Sequence, residues 1–271
     1  MKLDLDFSHK HVVVFGGTTG INFGIAQAFA RQGADVMVVS RKPENVDEAV
    51  RALAGSRGRI HGGCADVRDF AAVGAALDAS VALLGPVDVL VSGAAGNFLA
   101  QARDISANGF KAVMDIDLLG SFHVARQAYR HLRRPGASVI HISAPQASIP
   151  MRFQAHCAAA KAGVDQLTRV LALEWGAEDI RVNAISPGPI DGTEGFRRLM
   201  APTEKQRRAA RAAVPLQRMG SFDDIANLAL FLASPFAGYI SGAVVPCDGG
   251  GALESVKPTL EAAGRAGQEV V

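Results

Sequence analysis

Between residues 15 and 24 the chain reads Phe15-Gly16-Gly17-Thr18-Thr19-Gly20-Ile21-Asn22-Phe23-Gly24, with an apolar run before it and a helical pattern after it. That setting gives the glycines a chemical meaning. A backbone without side chains can approach a pyrophosphate, and a helix N-terminus supplies unpaired N–H groups and positive potential. Gly16, Thr18, Thr19, Gly20 and Ile21 are therefore candidate phosphate-binding residues, against the alternative of a purely structural turn. After the second apolar run comes Ser40-Arg41-Lys42, where an NAD site would place an Asp or Glu to accept the ribose hydroxyls. Arg41 can instead pair with a 2′-phosphate that a carboxylate would repel, so the expected cofactor is NADPH/NADP+. The competing reading is a solvated pair of basic residues. Asp66-Val67 follows the third run and is placed either to meet the adenine ring or, through Asp66, to cap the next helix.

Elements must position these residues, and the hydrophobic pattern names them. His11 to Phe15, Val36 to Ser40, Ile60 to Cys64, Val87 to Ser92, Ser138 to Ser143, Arg181 to Ser186 and Ala243 to Cys247 read as short apolar strands separated by helical stretches. Continuously apolar strands alternating with helices predict an α/β Rossmann fold, a doubly wound seven-stranded parallel sheet flanked by helices. Ser106 is placed to cap a helix carrying Gly109 to Tyr129, and Val164, Leu167 and Leu171 form a one-sided stripe on the helix that includes Lys161. Ser221 with Asp224 predicts an acidic cap, although Asp completes the reciprocal box less well than Glu. Residues 1–251 are expected to form one NADP-binding domain, with an Arg-rich, strand-poor insertion at about 190–214 as a candidate substrate lid, and 252–271 an arm or tail.

The 271 residues are 49% apolar and 20% charged with a formal charge of +2, which suits one compact domain and gives no reason to expect nucleic acid. Cys64, Cys157 and Cys247 lack metal spacing and suggest a reducing compartment. With no signal-peptide pattern, no long apolar span and no Ser-Lys-Leu ending, the expectation is a cytoplasmic protein without membrane insertion.

The chain to about residue 250 resembles the short-chain dehydrogenase/reductase family, and within it the 2,4-dienoyl-CoA reductases of the peroxisomal type. The segments that carry the resemblance are Gly16-Gly17-Thr18-Thr19-Gly20, Gly93-Ala94-Ala95-Gly96-Asn97-Phe98, Asp115-Ile116-Asp117, Ala158-Ala159-Ala160-Lys161-Ala162-Gly163-Val164, Glu174-Trp175-Gly176, and Pro187-Gly188-Pro189-Ile190 leading to Gly192-Thr193-Glu194-Gly195. The resemblance implies NADPH-dependent reduction of a dienoyl-CoA to an enoyl-CoA in unsaturated fatty acid breakdown. Lys161 would hold the nicotinamide ribose, and Pro187, Gly188 and Ile190 would also border the cofactor. Asn97 and Phe98 match active-site and acyl-contacting positions, while Ser106, Arg198 and Arg41 are candidate acyl-CoA contacts.

The same resemblance exposes departures. Cys157 stands where most of the superfamily has a tyrosine four residues before the lysine, and Gln146 stands where mitochondrial members have theirs. Cys157 is either a small buried residue on an Ala-rich helix or a catalytic thiol. The peroxisomal members pair the lysine with an aspartate, a role carried here onto Asp117, with Asp115 as the competing alignment. Asn22 replaces a third glycine and puts the tight turn in question. Such enzymes are commonly homodimers or homotetramers.

As the diene is reduced, negative charge develops on the thioester oxygen, and a donor such as Asn97 or Ser143 must meet it, unless both only satisfy local backbone. Asp117 would orient a water that relays the proton; the alternative is a buried carboxylate that only neutralises Lys161. Arg197, Arg198, Lys205, Arg207, Arg208 and Arg211 give the insertion a reason to meet CoA phosphates, against a merely solvated lid. The rivals are a reductase of another acyl thioester or carbonyl and a noncatalytic cofactor-binding protein.

Overall fold

A computed structural model of the chain describes residues 5–193 and 203–254. Seven strands form one parallel sheet: β1 (His11–Phe15), β2 (Asp35–Ser40), β3 (Ile60–Cys64), β4 (Val89–Ser92), β5 (Ser138–Ile142), β6 (Arg181–Pro187) and β7 (Val244–Cys247), in spatial order β3-β2-β1-β4-β5-β6-β7. This is the doubly wound Rossmann sheet that the pattern predicts. Its central strands can be apolar throughout because helices cover both faces. Along β1 the side chains alternate. Val12 and Val14 enter a core shared with α1 (Gly20–Arg31), α2 (Pro43–Leu53) and α8 (Phe222–Ala233), whereas Val13 and Phe15 enter the opposite core with α3 (Phe70–Leu84), α5 (Gly120–Ala128) and α6 (Ala155–Trp175). Each such fully buried Val or Phe contributes about 1.5–3 kcal/mol relative to an exposed one.

Strand order reverses at β1, whose partners are β2 on one side and β4 on the other. A crevice opens at the carboxyl ends of these strands, where Phe15 is in register with Ser92.

The caps set the helices that border this crevice. Ser106 accepts from Gly109 N at 3.0 Å and starts α4 (Ala107–Val113). At α8 the reciprocal box is complete despite its Asp, since Asp224 Oδ2 accepts from Ser221 N at 2.7 Å and is held by Arg218 at the same distance. Asp69, rather than Asp66, caps α3 through Ala71 N and Ala72 N. Asp66 is instead bound by Arg68, three residues too early to meet the helix's free N–H groups.

The helix expected over Gly109 to Tyr129 forms, with helical backbone across its junctions, but its turns are not uniform. Between α4 and α5 the turns of Met114–Leu119 widen into π-helix. Such wide turns concentrate at functional sites because the extra residue re-aims a side chain. Here the segment carries Asp117, which is 1% exposed. The insertion contributes α7 (Glu204–Ala212), which buries none of its residues, and after β7 a short α9 (Gly251–Glu254) follows. Most of the proposed C-terminal arm and the centre of the insertion lie outside the described residues.

Candidate active site

The crevice between β1 and β4 holds a cleft of about 290 Å³ lined by Gly16, Thr18, Thr19, Arg41, Asp66 and Val67, six of the residues named from sequence. Gly16 has a φ of 74°, and a Cβ there would lie 2.9 Å from the Ala94 backbone. The end of β4 and the first turn approach too closely for any side chain, whereas at Gly20, on the helix start, a Cβ would meet nothing within 4 Å, which leaves the backbone there open to a phosphate. Gly20 and Ile21 open α1, so their N–H groups belong to the free helix start. No carboxylate follows β2 where Arg41 stands, and Arg68 holds the Asp66 carboxyl below its usual range. The residues present therefore fit NADP(H).

Asn22, Asn45 and Ile116 also line this cleft, and sequence reading did not name them as binding residues. Asn22 lies inside α1 with an ordinary helical backbone. Its Nδ2 donates to Gly93 O at 2.7 Å, tying the β1–α1 turn to the end of β4. The missing third glycine is thus a clamp. Gly93 has the matching requirement, because a Cβ there would be 2.2 Å from Asn22 Oδ1.

Behind the cleft, Asp117 Oδ2 lies 3.4 Å from Lys161 Nζ, and both side chains are buried. Asp117 Oδ1 accepts from Gly96 N at 2.7 Å, and Lys161 Nζ donates to Ile142 O at 2.9 Å. Asp115 pairs outward with Lys111 one helical turn away, which settles which aspartate meets the lysine. By valence, each Asp117 oxygen keeps a lone pair and Lys161 keeps an N–H. The carboxylate can therefore accept from a further group, such as a water, while Lys161 can donate to another.

Cys157 lies on the same helix as Lys161 and is 4% exposed. Burial pushes its thiol up to about 11, with Asp117 adding to the rise and Lys161 opposing it. At neutral pH it is a thiol and not a thiolate, as a small core residue would be.

The two donors expected for the thioester oxygen are differently placed. Asn97 is exposed; its Oδ1 accepts from Phe98 N and its Nδ2 donates to Gln154 Oε1 at 2.9 Å, leaving one amide hydrogen for a ligand. Ser143 is buried, and its hydroxyl donates to Asp165, whose carboxyl burial pushes up. Its only proton is committed to that bond, so Ser143 does not offer a donor to the crevice. Phe98 is half-exposed beside Asn97, and Ser106 is exposed at the start of α4. Pro187 ends β6, the side chain of Ile190 is buried, and Gly188 packs so closely on Asp248 that a Cβ would lie 2.5 Å from its Cα. These three present backbone rather than side chains.

Of the basic insertion, Arg197 and Arg198 lie outside the described residues. On α7, Arg207 and Arg208 lie 3.7 and 3.6 Å from Glu204, which offsets part of the positive face. A larger cavity of about 480 Å³ opens near Pro189, Ile190, Pro215 and Leu216; Asp117, Lys161 and Asn97 line neither it nor the 290 Å³ cleft, although Ile116, next to Asp117, lines the latter.

A family profile described as Enoyl-(Acyl carrier protein) reductase matches residues 16–251. The (3E)-enoyl-CoA-producing peroxisomal 2,4-dienoyl-CoA reductase of Pongo abelii is 44% identical over 246 residues, covering 89% of this chain and 83% of that protein. The Rattus norvegicus protein of the same description is 43% identical over 243 residues, with the same coverage of 89% and 83%. The crystal structure of a short chain dehydrogenase from Bacillus anthracis matches with a TM-score of 0.80 at 34% identity, over 90% of this chain and 96% of that one. The chain belongs to the short-chain dehydrogenase/reductase family and is an oxidoreductase of that family. Within it the chain is closely related to the peroxisomal 2,4-dienoyl-CoA reductases, and its cofactor is NADPH. The expectation of a cytoplasmic protein is overturned by these relatives, which are named as peroxisomal. The lack of a Ser-Lys-Leu ending is too weak a sign to place a protein. No helix among the described residues is long and apolar enough to cross a membrane.

Proposed function

We propose that this chain reduces a 2,4-dienoyl-CoA to an enoyl-CoA in unsaturated fatty acid breakdown, with a (3E)-enoyl-CoA as the product, as the names of its relatives state for them. The observation that carries the reading is the buried Asp117–Lys161 pair, with hydrogen-bonding capacity to spare, in a site whose Cys157 is a buried thiol held near 11. A carbonyl reductase needs a donor poised at the forming alkoxide, and Cys157 does not supply one. A dienolate can take its proton from water.

Bound NADPH supplies the hydride. The spare Asn97 amide hydrogen meets the negative charge on the thioester oxygen. Removing one such donor from an organised site costs about 3 kcal/mol. Asp117 holds the water that protonates the dienolate, and the one remaining N–H of Lys161 donates to the cofactor ribose. Gly16, Thr18, Thr19, Gly20 and Ile21 hold the pyrophosphate, Arg41 the 2′-phosphate, and Asp66 and Val67 the adenine, while Pro187, Gly188 and Ile190 border the nicotinamide through backbone. Phe98 meets the acyl chain, and Ser106, Arg41 and Arg198 serve the CoA portion. Residues 1–251 act as one NADP-binding domain, and the working form is a homodimer or homotetramer.

The test is the Asp117→Asn variant, which keeps an acceptor for Gly96 N but removes the charge. Its turnover with a 2,4-dienoyl-CoA should fall at least about 100-fold while NADPH binding stays within about twofold. Turnover like that of the wild type would show that the pair only neutralises buried charge.

A further inference from the structure

The segment that carries Asn97 and Phe98 has no helix or strand of its own, yet it is fastened along its length. Gly96 N donates to Asp117, Asn97 Nδ2 to Gln154 Oε1, and Ala100 N to Phe153 O at 3.1 Å. Between them, His156 Nε2 lies 3.1 Å from Phe98 O, so this nitrogen carries the proton, and the imidazole stacks on the Phe98 ring at 4.2 Å between centroids and 25° between planes. His156 is fully buried, and its Nδ1 has no hydrogen-bond partner among the described residues. Gln154 is also buried and accepts a second bond, from Gln146 Nε2 at 3.0 Å. Phe153, just before them, has a φ of 68°, which a bulky residue adopts only where its surroundings impose it. The start of α6 and the loop after β4 are thus locked face to face, with one side of the Phe98 ring on His156 and the ring still half-exposed.

We infer that His156 is a positioning residue: it holds Phe98 as a preformed platform for the acyl chain, and so sets how tightly the site takes its acyl substrate. The inference rests on the proposed dienoyl-CoA reaction for the identity of that chain. A fixed aromatic surface removes the ordering cost that a free loop would pay at binding. Because the platform meets ground state and transition state alike, its loss acts on KM and leaves kcat nearly unchanged. Two features separate this role from simple packing. The imidazole gives both a ring to stack on and a donor for the loop's own carbonyl, and the residue whose carbonyl it takes is the residue whose ring it supports.

The experiment compares His156→Phe, which keeps a ring and loses the donor, with His156→Ala, which loses both. Each is assayed with a six-carbon and a ten-carbon 2,4-dienoyl-CoA, with NADPH titration, and with hydrogen exchange of peptides covering 94–101 and 14–26. In His156→Ala the KM should rise roughly tenfold, the size expected for one aromatic pair and one hydrogen bond, with a smaller rise in His156→Phe. Asn97 keeps its separate bond to Gln154 Oε1, so in both variants kcat should stay within about threefold and NADPH affinity within about twofold, with faster exchange confined to the 94–101 peptide. Unchanged KM in folded variants, or an equal loss of NADPH affinity with faster exchange in both peptides, overturns the positioning role. A wild-type enzyme that binds NADPH and reduces neither thioester overturns the functional reading and the acyl role together, and is thereby distinguished from a failure of the variants alone.

Discussion

Cys157 and His141 show how strongly burial governs single groups in this molecule. With its thiol pushed up to about 11, Cys157 is expected to be dispensable: Cys157→Ala should keep turnover within about threefold, and alkylation of the native protein at neutral pH should reach exposed Cys64 first. Loss of turnover in a folded Cys157→Ala protein would return the thiol to the mechanism. His141 is a buried imidazole whose Nδ1 lies 2.8 Å from Thr168 Oγ1, while that hydroxyl gives its own proton to Val164 O. Burial, reinforced by Lys161, holds His141 at about 4, below its ordinary 6.5. The unfolded chain therefore binds the extra proton between those values. Stability from this group is complete above about pH 6.5 and is lost as pH falls toward 4, on the order of 3 kcal/mol in all. Urea unfolding of His141→Asn between pH 6.5 and 4.5 should show a shallower loss than the wild type; an equal slope would remove His141 as the cause.

At the scale of elements, the join between the β1–α1 turn and the end of β4 controls the cofactor cleft. Asn22→Gly would restore a glycine but break the bond to Gly93 O, and Gly93→Ala would drive a methyl to within 2.2 Å of Asn22 Oδ1. NADPH affinity measured by fluorescence titration should fall in both, by about tenfold or more for Gly93→Ala, the loss expected when overpacking costs at least about 1.4 kcal/mol. Tighter binding in Asn22→Gly would mean that Asn22 is a defect after all. Much of this region was legible beforehand, because continuous apolar runs and a glycine-rich turn report backbone geometry directly. Local pattern does not report partners distant in sequence. The Asn22 clamp, the Ser143–Asp165 bond and the His156–Phe98 stack each join segments more than 20 residues apart. The π-helical turns at Met114–Leu119 were hidden for another reason: their apolar spacing still reads as one helix, and only the position of Asp117 beside Lys161 exposes the extra residue.

For the whole molecule, Leu119, Phe122 and Leu173 are exposed, and a hollow of about 350 Å³ lies among Met114, Leu118, Phe122 and Leu167. Such an apolar face suits a second copy of the chain. It is built from the widened turns that hold Asp117, from α5 with Phe122, and from α6 with Lys161, so association would brace the pair. Phe122→Glu should lower the mass seen by sedimentation and reduce kcat more than NADPH affinity; unchanged mass would place the interface elsewhere. Fold class was legible from the alternation of strands and helices, whereas cellular location was not, since a short terminal address carries no folding information. What defines this enzyme is the thioester that its site reduces. NADPH absorbance should be followed in the wild-type protein with a 2,4-dienoyl-CoA, its enoyl-CoA counterpart and a 3-ketoacyl-CoA. Oxidation with the dienoyl thioester alone is the predicted result, and oxidation only with the ketoacyl thioester, or NADPH binding without any turnover, would contradict it.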